Sequence, residues 1–110
     1  MIVYYVKSVE EYEALKAIID KVVVVDFSAE WCKPCKAMAP LLEEMAKTYS
    51  DTVFVSVDID VLGDHLLDAT EVKSVPTFKL FLNSKLLFEF SGANEARLRS
   101  RIEAAQKLLP

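Results

Sequence analysis

Apolar residues follow two different periods along the chain. Near-continuous apolar runs at residues 2–6, 22–27 and 53–57 are typical of strands that are buried on both faces. Apolar residues also recur every third or fourth position over residues 9–20 and again up to residue 49, which predicts two amphipathic helices. The first half of the chain therefore predicts strands and helices in alternation.

The second half predicts a weaker helix and then a hairpin. Residues 58–71 have some helical periodicity, which Gly63 interrupts near its start. Residues 77–82 and 85–91 are β-rich, and the two residues 83–84 between them are the spacing of a tight turn. We expect an antiparallel hairpin there.

Helix N-cap signals complete the element order. Ser8 with Glu11 three positions later is the capping-box pattern, and Asn94 precedes a last amphipathic helix. The order βαβαβαββα predicts an α/β fold, with a central mixed sheet of about five strands flanked by four helices. We expect residues 1–110 to form a single domain, since 110 residues leave no room for a second.

Charge and hydropathy exclude several classes of partner. The net charge is −4 and the basic residues are scattered, so we expect no nucleic-acid binding. The longest aliphatic run, residues 22–25, is far below the roughly 20 residues that cross a bilayer. Lys7 interrupts the apolar start before a signal-peptide core develops, so we expect a soluble, cytoplasmic protein without a membrane partner.

The two cysteines, Cys32 and Cys35, carry the candidate chemistry. The loop that they would close is too short to restrain the unfolded chain, so their value is chemical rather than structural. At the start of a helix, N–H donors and the helix dipole stabilise a Cys32 thiolate, which makes it the expected attacking group. Cys35, one turn later, can resolve a mixed disulfide, and Pro34 stiffens the ring between the two sulfurs.

Two other polar residues are candidate chemical groups. Asp26 is the single charge inside a buried strand, where a raised pKa suits a carboxyl group to acid–base work. His65 is the only histidine, and we expect it on the surface of a helix. One CxxC pair and one histidine cannot supply the usual four ligands of structural zinc, so we expect no metal.

A family resemblance connects these residues, and it spans the whole chain. The matching positions are Asp26, Trp31-Cys32-Lys33-Pro34-Cys35-Lys36, Pro40, Val75-Pro76-Thr77 and Gly92. They stand in the order and spacing of the thioredoxin family, and residues 24–29 and 88–94 are most similar to small eukaryotic cytosolic thioredoxins. The resemblance implies the thioredoxin fold and a dithiol/disulfide oxidoreductase that reduces protein disulfides by reversible oxidation of Cys32 and Cys35.

The resemblance also implies roles for individual residues. Pro76 would be a cis proline beside the cysteines, and Val75 would offer its backbone to a docked substrate strand. Asp26 would lie beneath the pair and exchange protons with Cys35. Trp31 would cover one side of the site, although a partly buried aromatic that simply packs is an alternative. The implied substrate-binding residues are Trp31, Val75, Pro76 and Gly92.

The partners implied by the resemblance are redox proteins. No cofactor would be bound, and electrons would come from NADPH through a flavoprotein, thioredoxin reductase. The substrates would be disulfides of the kind found in peroxiredoxins, ribonucleotide reductase and methionine sulfoxide reductases. With no third cysteine to bridge two copies, we expect a monomer. The alternatives are a disulfide isomerase or oxidase domain, and a binding module of the same fold whose cysteines are incidental.

Two of the positions that depart from the family pattern bear on the chemistry of the site. Lys33 stands where most thioredoxins have glycine, and our hypothesis is that its ammonium group stabilises the Cys32 thiolate and makes the disulfide more oxidising. The alternative is a solvated lysine with little effect. Ser56 offers only a hydroxyl group near Asp26, where family members often have lysine or glutamate.

Overall fold

The computed structural model describes residues 2–110, which form five strands, five α-helices and one 3-10 turn. The elements in chain order are β1 Val3–Tyr5, α1 Val9–Lys16, β2 Val22–Ser28, α2 Lys33–Thr48, β3 Val53–Asp58, α3 Ile59–Leu62, the 3-10 turn Gly63–His65, α4 Leu67–Thr70, β4 Thr77–Leu82, β5 Lys85–Ser91 and α5 Glu95–Gln106. No helix within residues 2–110 is long and apolar enough to cross a membrane.

All five strands form one mixed sheet in the order β1-β3-β2-β4-β5. β1 and β2 each pair with β3 in parallel, whereas β4 is antiparallel to both β2 and β5. The predicted α/β fold with a five-stranded mixed sheet is therefore confirmed. β2 lies at the centre, so its carboxyl end delivers the chain to the Cys motif from the most buried part of the sheet.

The sheet is covered on both faces because alternate residues of a strand point in opposite directions. One face packs against α2 and α5, through residues that include Val24, Leu80, Met38, Leu42 and Ile102. The other face packs against α1, α3 and α4, through residues that include Val25, Phe27, Tyr12, Leu62 and Leu66. β2 contributes to both clusters, which explains its near-continuous apolar sequence.

The first helix begins where the capping signal predicts but ends early. Ser8 accepts a hydrogen bond from the Glu11 amide at 3.1 Å, as an N-cap does. α1 ends at Lys16 rather than near residue 20, and the chain turns at Asp20, whose φ is +60°. Ile19 lies beyond the helix and is 71% exposed, so the predicted apolar face stops before it.

The weak helical pattern over residues 58–71 corresponds to three short pieces rather than one helix. α3, the 3-10 turn and α4 follow one another, and Leu66 separates the last two with an extended backbone (φ −117°, ψ 122°). This break places the Leu66 side chain in the core, where it is buried. The burial of Leu66 therefore accounts for the break in this stretch, which helical periodicity alone did not predict.

Candidate functional site

Cys32 and Cys35 lie at the start of α2, just beyond the carboxyl end of β2, and they form a disulfide. Cys32 is the N-cap residue, with an extended backbone, and its Sγ accepts a hydrogen bond from the Cys35 amide at 3.2 Å. Pro34 occupies the first helical turn, where its missing N–H leaves no intrahelical bond unmade. The Cys35 amide of this first turn therefore faces the Cys32 sulfur.

The two cysteines face different surroundings. Their exposed fractions, 4% for Cys32 and 5% for Cys35, do not separate them. Their neighbouring groups differ. Cys32 Sγ lies 3.7 Å from the carbonyl oxygen of Val75, whereas Cys35 lines a cavity of about 320 Å³ that also reaches Asp26. One cysteine is therefore beside the Val75 backbone and the other is beside a buried carboxyl group.

The Val75–Pro76 peptide bond is cis, as the resemblance implies, and hydrogen bonds hold this turn against β4 and the end of β5. Thr77 Oγ1 donates to the Ser74 carbonyl at 2.6 Å, and the Gly92 amide donates to the Pro76 carbonyl at 2.8 Å. Gly92 has a φ of +107°, a conformation that residues with a Cβ atom rarely adopt. Glycine at 92 thus lets the chain turn while its amide still reaches Pro76.

Asp26 is the buried charge of the site. It is 3% exposed, and its Oδ1 atom has no hydrogen-bond partner among residues 2–110. Burial raises the pKa of Asp26 from 3.8 to about 7. Ser56 stands beside Asp26 in the β2–β3 register and lines the same cavity. Near neutral pH the Asp26 carboxyl group is therefore present in both its protonated and its ionised form.

Trp31 and Lys33 are both on the surface beside the disulfide. Trp31 is 67% exposed, and its Nε1 donates to Asp60 Oδ2 at 2.8 Å. A side chain this exposed does not fit the alternative of a packing aromatic. Lys33 is exposed in the first turn of α2 and forms no ion pair within the described part of the chain. Sequence reasoning missed Asp60, since nothing in the pattern indicates that it reaches Trp31.

The remaining polar candidates give no metal site in the part of the chain that the structure describes. His65 is exposed on the 3-10 turn. Between residues 2 and 110, no three histidine, cysteine or acidic side chains lie close enough to hold a metal ion.

A second buried charge, Lys79, was not among the residues predicted from the sequence. It is 3% exposed in β4, and its Nζ donates to the Asp68 carbonyl oxygen at 2.7 Å. The sequence does indicate a buried charge here, because Lys79 interrupts the apolar run of β4 much as Asp26 interrupts that of β2. A charge inside a buried strand must find partners, and its partner here lies in α4.

Comparison with known proteins gives matches along nearly the whole chain. The Thioredoxin family model matches residues 4–104. Thioredoxin-3 of Dictyostelium discoideum is 47% identical over 102 residues, which cover 93% of this chain and 95% of that protein. These matches cover the sheet, the Cys motif and the Val75–Pro76 turn together.

Solved structures agree with the sequence matches. A chain of the complex between ferredoxin:thioredoxin reductase and thioredoxin f2 superposes with a TM-score of 0.86 at 34% identity, covering 96% of each chain. A second matching chain comes from work on thiol resolution in yeast mitochondrial 1-Cys peroxiredoxin by the glutathione and thioredoxin systems. It has a TM-score of 0.82 at 31% identity and covers 93% of this chain and 94% of its own.

Proposed function

Since the chain belongs to the thioredoxin family and is a thiol–disulfide oxidoreductase, we propose that it reduces disulfides in other proteins through Cys32 and Cys35. The observation that carries this proposal is the different placement of the two sulfurs. Cys32 lies beside the Val75 carbonyl, a backbone group to which a partner strand could pair, and Cys35 faces the cavity that holds Asp26. This placement suits Cys32 to attack the substrate disulfide and Cys35 to release the substrate afterwards.

The first step is attack by Cys32 in the reduced protein. Its thiolate displaces one sulfur of the substrate disulfide, so a Cys32–substrate bond forms, the substrate S–S bond breaks and one substrate thiolate leaves. The amide of Cys35 and the N-terminal end of the α2 dipole stabilise the negative sulfur of Cys32. The helix start thereby raises the thiolate fraction at neutral pH.

The second step is release by Cys35. Ionised Asp26 takes the proton of the Cys35 thiol through their shared cavity, which has room for water. The Cys35 thiolate then attacks Cys32 Sγ, and the second substrate thiolate leaves. The substrate gains two electrons and the protein becomes the Cys32–Cys35 disulfide. A carboxyl group with a pKa of about 7 suits this transfer, because it can both accept and return a proton.

Docking uses what we call the docking edge, the backbone of Val75 and Pro76. The Val75 carbonyl is next to Cys32 Sγ, so a substrate strand paired with this edge would bring its disulfide to the attacking sulfur. The exposed ring of Trp31, which is next to Cys32 in the chain, and the chain at Gly92, whose amide binds the Pro76 carbonyl, would extend the contact surface. Backbone pairing is tolerant of sequence, which suits a reductant of many proteins.

The partners follow from the need to reduce the disulfide again after each cycle. Electrons come from NADPH through a flavoprotein thioredoxin reductase, and the protein itself binds no cofactor. Its substrates are disulfides of the peroxiredoxin, ribonucleotide reductase and methionine sulfoxide reductase type. A similar chain solved with a ferredoxin:thioredoxin reductase, and another from work on a peroxiredoxin, support a reductase and a peroxiredoxin as partners in general. A monomer in the cytoplasm, where thiols are kept reduced, fits this cycle.

Insulin reduction tests the proposal. With dithiothreitol as the electron source, the wild type should accelerate insulin reduction and Cys32→Ser should lose the acceleration. Equal rates for the two proteins would overturn the proposal and favour a binding module whose cysteines are incidental. A reduction potential measured against glutathione separates a reductase from an isomerase or oxidase domain, since those families hold less reducing disulfides.

A further inference from the structure

The segment that leads into the docking edge has little regular structure of its own. α4 is a single turn of four residues, and residues 71–76 form neither helix nor strand. One helical turn is unstable in isolation, because nucleation fixes several residues for one hydrogen bond. Contacts with the rest of the protein must therefore determine where the segment lies.

The two ends of this segment are held differently. At the carboxyl end, Thr77 and Gly92 bind the carbonyl groups of Ser74 and Pro76. At the amino end, Leu66 and Ala69 are buried, but no side chain caps α4. Their burial sets which face of α4 points inward, but non-directional apolar contacts restrict the position of the helix along the sheet less than hydrogen bonds do.

Asp68 provides directional hydrogen bonds at the amino end, because it accepts from three donors on neighbouring elements. Its Oδ2 atom accepts hydrogen bonds from Tyr12 Oη and Lys16 Nζ, each at 2.7 Å. Its backbone carbonyl accepts from Lys79 Nζ, also at 2.7 Å. α4 is thus tied to α1 through the Asp68 side chain and to β4 through the Asp68 backbone.

The Lys79 side chain has few alternatives to this contact. Its Nζ lies 3.7 Å from Glu89 Oε2 and 5.6 Å from the centre of the Phe27 ring. The Asp68 carbonyl is its shortest polar contact, and a buried ammonium group is costly without such partners. Lys79 therefore holds α4 at a fixed distance above the sheet.

The charge of Asp68 supports the same arrangement. Burial alone would raise the pKa of Asp68, but the hydrogen bonds from Lys16 and Tyr12 outweigh it, so the pKa lies below its usual value. Asp68 is therefore ionised at neutral pH and binds both donors from α1. Tyr12 is almost fully buried, which keeps its hydroxyl group in place.

We propose that Asp68 and Lys79 are positioning residues for protein substrates, which fix the docking edge by holding α4 to α1 and β4. They touch neither the sulfurs nor Asp26, so they act through the position of Val75 and Pro76 and leave the sulfur chemistry intact. This inference rests on the proposed function, since it concerns how a protein disulfide is presented to Cys32.

Two variants test separately the contact of α4 with β4 and the contacts of α4 with α1. Lys79→Met removes the bond to the Asp68 carbonyl, and Asp68→Asn removes the charge that binds α1 while keeping the size of the side chain. Each should raise the KM for insulin about five- to tenfold, less than the loss of a charge-assisted hydrogen bond made directly to the substrate would give, because both residues act only through the position of the docking edge. The reaction of the reduced protein with 5,5′-dithiobis(2-nitrobenzoic acid), which needs no docking strand, should change less than about twofold.

A second measurement separates positioning from general stability. Hydrogen exchange should accelerate at the Val72 amide, which bonds to the Ala69 carbonyl, while the β2 amides keep their protection. Tyr49→Phe is the matched control, because it removes a hydrogen bond to Glu103, and Tyr49 follows the carboxyl end of α2, the end opposite the cysteines. It should change neither the insulin KM nor exchange at Val72.

The outcomes are distinct. An insulin KM equal to wild type in both variants, or equal losses with insulin and the small disulfide, would overturn the positioning role. If Lys79→Met does not fold, the milder Asp68→Asn decides the same question. Failure of the wild type to reduce insulin would instead overturn the proposed function, and exchange at Val72 would still report whether Asp68 and Lys79 hold the segment.

Discussion

The helix that carries the cysteines and the segment that carries the docking edge face each other across the disulfide, but they are held in different ways. α2 is a continuous helix of 16 residues whose apolar side chains, Met38 and Leu42 among them, are buried in the core. The segment over residues 59–76 contains two helices of four residues each and a 3-10 turn. The first element is one continuous helix, whereas the second consists of single turns whose positions depend on buried side chains such as Leu66 and on the hydrogen bonds of Asp68.

This difference matches the two tasks of the site. Thiolate chemistry needs the Cys32 sulfur at a fixed place relative to the helix start, and a long packed helix provides that. Recognition of protein substrates needs a backbone edge, and an irregular segment can present carbonyl and amide groups that a helix or central strand would use internally. Changes in α2 should therefore affect the sulfur chemistry, and changes in residues 59–76 should affect stability or docking.

The largest effect is expected on the α2 side. Cys35→Ser should abolish turnover with insulin, since no second sulfur remains to release the mixed disulfide. The variant should instead accumulate a covalent adduct with its substrate, seen as a dithiothreitol-sensitive band on a non-reducing gel. Cys32→Ser is the matched control and should form no adduct. An adduct with Cys32→Ser but not with Cys35→Ser would reverse the two roles.

The same contrast explains what the sequence could predict. α2, the sheet, the position of Cys32 at a helix start and the burial of Asp26 in β2 follow from local signals, namely apolar periodicity, a helix N-terminus and one charge in an apolar run. The place of Asp26 beneath the cysteines was implied only by the family resemblance. The division of residues 59–70 into three short pieces could not be predicted from local signals. The burial of Leu66 is a tertiary contact that overrides a weak helical pattern. The Trp31–Asp60 and Lys79–Asp68 contacts join residues far apart in sequence, and periodicity carries no information on such pairs.

The next largest effect is a pH dependence of stability that comes from Asp26. Its pKa rises from 3.8 to about 7 on folding, so between these pH values the native state binds more protons than the unfolded state. This contribution to stability is complete below about pH 4 and is lost as the pH rises to 7. The full loss corresponds to about 4 kcal/mol, and Asp26→Asn should remove it.

Urea unfolding of the oxidised protein between pH 4 and 8 measures this contribution without titration of the thiols. The stability difference between Asp26→Asn and wild type should grow in favour of the variant as the pH rises. Asp51→Asn is a suitable control, because Asp51 is exposed. A difference that stays constant from pH 4 to 8 would show that Asp26 ionises normally.

A smaller effect is expected in the irregular segment, at Gly63. Its backbone is helical (φ −54°, ψ −41°), and an added Cβ atom would lie 3.4 Å from the Cβ of Ile59, an ordinary contact. Gly63→Ala should therefore raise the free energy of unfolding by about 0.5–1 kcal/mol, chiefly by restricting the unfolded chain. The extended backbone at Leu66 should persist, so insulin reduction should not change.

Urea unfolding tests the Gly63 prediction: the midpoint should rise while the dependence of the unfolding free energy on urea concentration stays the same. Gly92→Ala is the contrasting variant, because a Cβ atom there is strained at a φ of +107° even though the space around it is open. It should destabilise the protein. Stabilisation by both substitutions, or by neither, would show that backbone conformation does not control these positions.

The smallest expected effect belongs to Lys33, which is exposed in the first turn of α2. Lys33→Gly should lower the reduction potential by about 10–20 mV in a titration against glutathione, because an ammonium group near Cys32 stabilises the thiolate of the reduced form. Lys33→Gln separates charge from backbone freedom, since glutamine removes the charge without adding the flexibility of glycine. Equal shifts in both variants would assign the effect to charge, a shift in Lys33→Gly alone would assign it to the backbone, and three indistinguishable potentials would leave Lys33 as a solvated lysine.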